Sequence, residues 1–157
     1  MHLKQKNSWG CGVYSLANAL QLESFVNPNR IRLSKNGNFI GQLNRWLLKS
    51  KIKCWLSTIQ YNNSEIIDIV DPLPSFEKNN VESWLPLFII IKGAIKYHMI
   101  GCRYLRDGKI IVHDSLKENY DEYNSFNEFK EYYKNRIISF ELLMNYEENK
   151  PVFMNIV

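Results

Sequence analysis

The chain has 157 residues, of which 45% are apolar and 23% charged, and its net charge is +4. Eight Phe, nine Tyr and four Trp supply enough bulk to fill one core of ordinary domain size. These figures exclude a disordered chain, a collagen-like repeat and a disulfide-dense miniprotein.

Charge is unevenly spread. Residues 1–53 carry nine Lys and Arg against the single acid Glu23, whereas residues 54–157 carry eleven against fifteen. The bases are scattered rather than clustered, so they read as solvated surface, and nucleic acid is not expected as a partner. The three cysteines Cys11, Cys54 and Cys102 form no CxxC pair, which argues against a zinc knuckle and a disulfide framework. Cys54 and Cys102 read as core residues. His98, Cys102 and His113 lack the spacing of an established metal centre, and no cofactor is expected. The first six residues lack the apolar stretch of a signal peptide. The longest apolar run, Leu85 to Ile91, is too short to span a membrane. A soluble, cytoplasmic protein is the expectation.

In chain order, the first element is a helix over 11–22. Val13, Leu16, Ala17 and Leu20 form one apolar stripe, and Asn7 or Ser8 could cap it. Asn27-Pro28-Asn29 breaks the chain. A second helix follows over about 39–49, with Asn38 as cap and Phe39, Leu43, Trp46 and Leu47 as its stripe. Alternation over 52–58 predicts a strand, with Lys49, Lys51 and Lys53 projecting together as a charged edge. The continuous apolar run 87–92 suits a central strand buried on both faces. Two further strands, 97–105 and 109–113, flank Arg106-Asp107-Gly108 and read as a hairpin. The acidic stretch from Glu118 to Glu131, interleaved with aromatics, reads as a solvated helix face above an apolar one. Ser125 caps a helix to about 135, followed by strands at 137–143 and 152–156. No linker or repeat divides the sequence, so 1–157 reads as one domain. Helices first and an antiparallel sheet afterwards make an α+β fold.

Chemistry gathers at four residues. Cys11 stands where a Gly-flanked loop enters a helix, a place where unpaired N–H groups and the helix dipole favour a thiolate. A thiol nucleophile needs a base and an acceptor that orients the base. His98 opens a strand just after the apolar wall, and the Asp-Gly hairpin returns the chain so that Asp114 ends beside it. Gln5, ahead of Cys11, could join the Cys11 N–H in stabilising an oxyanion.

In the order Gln5, Cys11-Gly12-Val13, Leu16, Leu20, then Leu85-Pro86, Tyr97-His98-Met99-Ile100 and Ile110-Ile111-Val112-His113-Asp114, the chain resembles the C39 family of papain-like cysteine peptidases, which process double-glycine leader peptides. The resemblance spans roughly residues 3–145. It implies a papain-like fold, with the nucleophile at the start of an N-terminal helix packed on the sheet. It also implies Cys11 as nucleophile, His98 as base, Asp114 as its orienting partner, Gln5 as oxyanion donor, and cleavage after Gly-Gly. Two positions depart from the family. Gly10 stands where the family has Asp, and Ser115 stands where it has Pro after the orienting acid. Neither departure touches a reacting group.

The expected function is a cysteine peptidase acting on a peptide or protein. An acyl transfer to an amine would use the same residues. The alternative class is a non-catalytic papain-like module that binds a peptide or serves in a larger assembly.

Overall fold

The structure, a computed structural model, describes residues 1–6, 10–23, 40–49, 53–61, 83–93, 97–133 and 135–155. The fold is α+β. Helices α1 (Cys11–Leu20) and α2 (Ile40–Lys49) precede strands β1 (Cys54–Tyr61), β2 (Trp84–Lys92), β3 (Tyr97–Leu105), β4 (Ile110–His113) and β5 (Asp121–Tyr123). Helix α3 (Phe126–Tyr133) and strand β6 (Ile137–Asn145) follow. One six-stranded sheet has the order β1-β6-β2-β3-β4-β5, with every pairing antiparallel. Among the described residues no helix is long and apolar enough to cross a membrane.

Strand β2 sits between β3 and β6, and its side chains alternate between two cores. Leu85, Leu87, Ile89 and Ile91 pack with Ile100, Cys102, Val112 and Phe140 on the face covered by Phe126, Phe129 and Tyr133 of α3. Phe88 lies on the other face with Met99, Leu143 and Leu56, against Val13, Leu16, Ala17 and Leu20 of α1 and Leu43 and Leu47 of α2. The continuous apolar run therefore follows from burial on both sides. Pro86 falls inside β2, where it is paired with Arg103 of β3. Pairing with β6 begins only at Leu87, so the missing N–H falls where the strand has one ladder neighbour.

Several element limits differ from the sequence reading. Helix α1 stops at Leu20 because Gln21 takes a left-handed conformation, φ 57°. Its expected caps, Asn7 and Ser8, lie outside the described residues, as do Asn38, Phe39 and Ile52; the side chain of Trp46 does too. Lys49 ends α2 and Lys53 precedes β1, so these two do not share the strand expected of them, and Lys51 lies outside the described residues. The stretch expected to be one solvated helix face instead begins with the short edge strand β5, whose pairing with β4 absorbs Asp121, Glu122 and Tyr123. Ser125 does cap α3: its hydroxyl accepts from the Glu128 N–H at 3.1 Å, and the Glu128 carboxylate accepts from Asn124 N–H at 3.1 Å. This reciprocal arrangement resembles a capping box. After β6 the chain returns, among the described residues, through isolated bridges, Met144 to Pro151 and Trp84 to Met154. These replace the expected strand over 152–156, whose last residue lies outside the described residues.

Helix α1 approaches β3 unusually closely. A Cβ built on Gly101 would stand 2.3 Å from the backbone oxygen of Ser15, so only glycine lets the two backbones meet. Ser15 Oγ donates to the Met99 carbonyl at 2.9 Å, and Trp84 Nε1 donates to the Ala19 carbonyl at 2.8 Å. The helix is thus fixed at its middle and its C-terminal end. On the sheet's far edge, Asn44 of α2 exchanges hydrogen bonds with the backbone of Leu56, its Oδ1 accepting at 2.6 Å and its Nδ2 donating at 3.1 Å. The amide occupies two backbone groups of the edge strand.

Gly101→Ala should force α1 away from β3, and overpacking of this kind costs about 1–3 kcal/mol or more. Urea unfolding should report that loss, and alkylation of Cys11 should slow because the helix start moves with the helix. Unchanged stability and reactivity would mean that the close approach is not needed.

Candidate active site

Cys11 is the first residue of α1. Gly10 precedes it as N-cap and has no side chain with which to cap the turn, and the first turn holds no acidic residue. The positive end of the helix dipole therefore acts on the thiol without an opposing carboxylate in its own turn. The thiol is partly buried and packs against the core shared by α1, α2 and the sheet.

His98 and Asp114 meet through the hairpin. Gly108 makes its turn with φ 98°, a conformation that suits glycine, and Gly101 pairs with His113 across it. Asp114 follows directly after β4. His98 Nε2 lies 2.8 Å from Asp114 Oδ1, with the two side chains only 12% and 13% exposed. The same Oδ1 accepts from the Leu116 N–H at 3.1 Å, which fixes the carboxylate.

The imidazole also hydrogen-bonds Cys11. With Nε2 turned to Asp114, Nδ1 is the ring nitrogen left for the sulfur. Burial is the largest single influence on His98 and would lower its pKa. Hydrogen bonds to Asp114 and Cys11, together with the charges of both, outweigh burial and push it up to about 9. For Asp114, burial again acts first, in the raising direction. The bonds from His98 and Leu116 N–H and the nearby positive charges overcome it and hold the carboxyl below its ordinary value. A helix-borne thiol, a charged imidazole and a carboxylate stand in series. Such a set can hold a thiolate–imidazolium pair and pass a proton.

His113 is held elsewhere. It is fully buried, accepts at Nε2 from Arg103 Nε at 3.1 Å, and faces His2 Nδ1 through its own Nδ1 at 3.0 Å. Because Nε2 accepts, the proton belongs on Nδ1, and His2 Nδ1 must accept it. Burial first, then the Arg103 guanidinium, with His2 and the N-terminus contributing less, push the His113 pKa down to about 3. Neutral and occupied on both nitrogens, it is no rival base for Cys11. Cys102 is fully buried in the core beneath α3. Burial raises both of the other thiols, with the Asp114 charge adding to the effect at Cys102.

The N-terminal segment brings in Gln5. Leu3 N–H donates to Asn18 Oδ1 at 2.7 Å and Asn18 Nδ2 donates to the Leu3 carbonyl at 3.0 Å, so the segment lies along α1. Lys4 pairs with Glu118. Gln5 N–H donates to the Ser115 carbonyl at 2.7 Å, and Ser115 Oγ donates to Gln5 Oε1 at 2.5 Å. The structure therefore joins Cys11, His98 and Asp114 directly and seats Gln5, itself buried, on the residue next to Asp114.

Two contributors were not singled out in the sequence, and a third, Ser115, was named only as a departure from the resembled family. Gly101 and Ser15 set the helix position, and a lone glycine inside a strand pattern is the signal that could have drawn attention to the first. Ser115 holds Gln5, so the departure at this position does touch the site. Its signal was a hydroxyl where the resembled family has proline. No family model, curated protein or solved structure matches the chain.

The low pKa of His113 makes acid sensitivity a test. Its stabilising effect is complete above the unfolded value of about 6.5 and is lost as pH falls toward about 3, because the unfolded chain takes up the proton first. Melting temperature should fall from pH 6.5 to 4, and fall less in His113→Gln. Parallel curves for the two proteins would contradict the assignment.

Proposed function

We propose that the chain is a papain-like cysteine peptidase acting on a peptide or protein. The observation that carries this reading is His98, bonded to Asp114 on one side and to Cys11 on the other, with its pKa raised to about 9. A helix-borne thiol set against a sheet-borne His–Asp pair also fits the papain-like architecture implied by the family resemblance.

In this reading Cys11 Sγ, as thiolate, attacks the scissile carbonyl carbon. The S–C bond forms, and the carbonyl π pair moves onto oxygen, where the Gln5 amide and the Cys11 N–H stabilise it. As the oxygen pair returns, the C–N bond breaks. The departing amine takes a proton from His98 Nδ1, leaving an acyl-thioester. A water molecule then attacks the thioester while His98 Nδ1 accepts its proton, and the acid leaves with the thiolate restored. Asp114 keeps Nε2–H engaged throughout, so Nδ1 remains the working nitrogen. The family resemblance suggests cleavage after Gly-Gly, where the absence of side chains would let a narrow cleft close around the backbone.

Iodoacetamide at mildly acidic pH should label Cys11 first, with Cys54 and Cys102 lagging because burial raises their thiols; intact mass and peptide mapping would show this. Alkylation of Cys11 no faster than of Cys54 would favour the peptide-binding module instead. Amide turnover should decline as pH rises through about 9, because the proton that the leaving amine needs is then lost. Asp114→Asn removes the strongest support for that proton. It should move the alkaline limb to lower pH and cut turnover, by up to about 10⁴-fold as in a serine triad. Turnover that survives Cys11→Ala undiminished would remove the mechanism.

A further inference from the structure

We infer that Ser115 is a positioning residue for carbonyl attack: its hydroxyl fixes which end of the Gln5 amide faces the reacting centre. The inference rests on the peptidase reading above and extends it to a residue outside the four that the reading employs.

A glutamine amide presents two ends of nearly equal size and opposite use. Its NH2 stabilises an oxyanion, whereas its carbonyl would repel one. Rotation about the last side-chain torsion is broad and roughly two-fold, so nothing within glutamine selects one end. Ser115 supplies the selection. Its Oγ–H donates to Gln5 Oε1 at 2.5 Å, which commits the carbonyl end to Ser115 and turns the NH2 end away from it. The Ser115 carbonyl meanwhile accepts from the Gln5 backbone N–H at 2.7 Å. One residue thus holds both the backbone and the side chain of Gln5.

Burial makes this hold effective. Ser115 is wholly buried and Gln5 nearly so, so bulk water does not replace the hydroxyl as donor, and a buried carbonyl left without one is costly. The placement matters as well. Asp114 and Ser115 are adjacent in one turn, which is closed by Lys117 N–H donating to the Asp114 carbonyl at 3.0 Å. Asp114 orients the imidazole and Ser115 orients the amide. A single turn therefore registers the proton-transfer side of the reaction with the oxyanion side. Proline at position 115 would offer no side-chain donor, so this chain reaches its amide orientation through a group that the resembled family lacks there.

The test separates carbonyl attack from thiol reactivity. p-Nitrophenyl acetate acylates a thiolate through an oxyanion: the S–C bond forms, the carbonyl pair moves to oxygen and returns, and p-nitrophenolate leaves. Iodoacetamide reacts by displacement at a saturated carbon and develops no oxyanion. Ser115→Ala should slow Cys11 acetylation by roughly 10-fold, short of the ~10²–10³-fold expected for deleting the Gln5 donor itself. Its Cys11 alkylation rate should equal that of the wild-type protein. Ser115→Cys, which fills similar space with a much weaker donor, should behave like the alanine variant and serves if that one fails to fold. In a Gln5→Ala background, Ser115→Ala should cause no further loss.

Acetylation at the wild-type rate in either folded variant overturns the inference while leaving the peptidase reading in place. Equal slowing of acetylation and alkylation also overturns it, by assigning Ser115 to general support of the turn. A wild-type Cys11 that is neither rapidly alkylated nor acetylated would defeat the peptidase reading, and the role of Ser115 falls with it.

Discussion

The contact between the Ser15 backbone and Gly101 sets the distance on which the site depends. A hydrogen bond between a thiol and an imidazole tolerates only a small displacement. Here the two groups come from elements far apart in the chain, the start of α1 and the start of β3. Glycine at position 101 admits the helix backbone to within a distance that any Cβ would block. Ser15 Oγ bonds the Met99 carbonyl beside that contact, and the Trp84 indole holds the helix further along. The hydrophobic face of α1 supplies the drive to pack, but apolar packing alone is non-directional. Backbone approach and two buried hydrogen bonds convert it into a defined position for Cys11.

Given that position, electrostatics divides the work between two histidines of one hairpin. His98 and His113 are both largely buried, and burial pushes both toward neutrality. His98 has a carboxylate on one side and a thiol on the other, and these partners overcome burial. His113 has a guanidinium and a second imidazole, and these add to it. One ring holds its proton and the other is a neutral link between Arg103 and the N-terminal segment. That link has a consequence for the site, because the same segment carries Gln5 to Ser115. The N-terminal residues are thus bonded to α1 through Asn18 and to the turn after β4 through Ser115, joining the two elements that hold Cys11 and Asp114.

Much of this could be read from the amino-acid order because local patterns carried it. The stripe of Val13, Leu16, Ala17 and Leu20 marked α1, the Asp107-Gly108 turn marked the hairpin, and the apolar run before His98 marked the central strand. The hairpin in turn made the meeting of His98 with Asp114 legible. The short strand β5 was not, since Asp121, Glu122 and Tyr123 form a strand only through pairing with β4. The true end of α1 depended on the left-handed turn at Gln21. The roles of Gly101 and Ser115 depend on contacts across 86 and 110 residues, beyond any periodicity. Pro86 within β2 shows the same limit, since its tolerance comes from where β6 begins to pair.

The central claim is that Cys11 and His98 form one electrostatic pair. NMR titration of the His98 ring, in the intact protein and in Cys11→Ala, tests it most directly. The intact protein should show His98 titrating well above the ordinary histidine value, near 9. Removing the sulfur takes away both a hydrogen bond and a negative charge, so the value should fall in Cys11→Ala while Asp114 keeps part of the elevation. A His98 that titrates near 6.5 in both proteins, indifferent to the sulfur, would contradict the pair and the chemistry built on it.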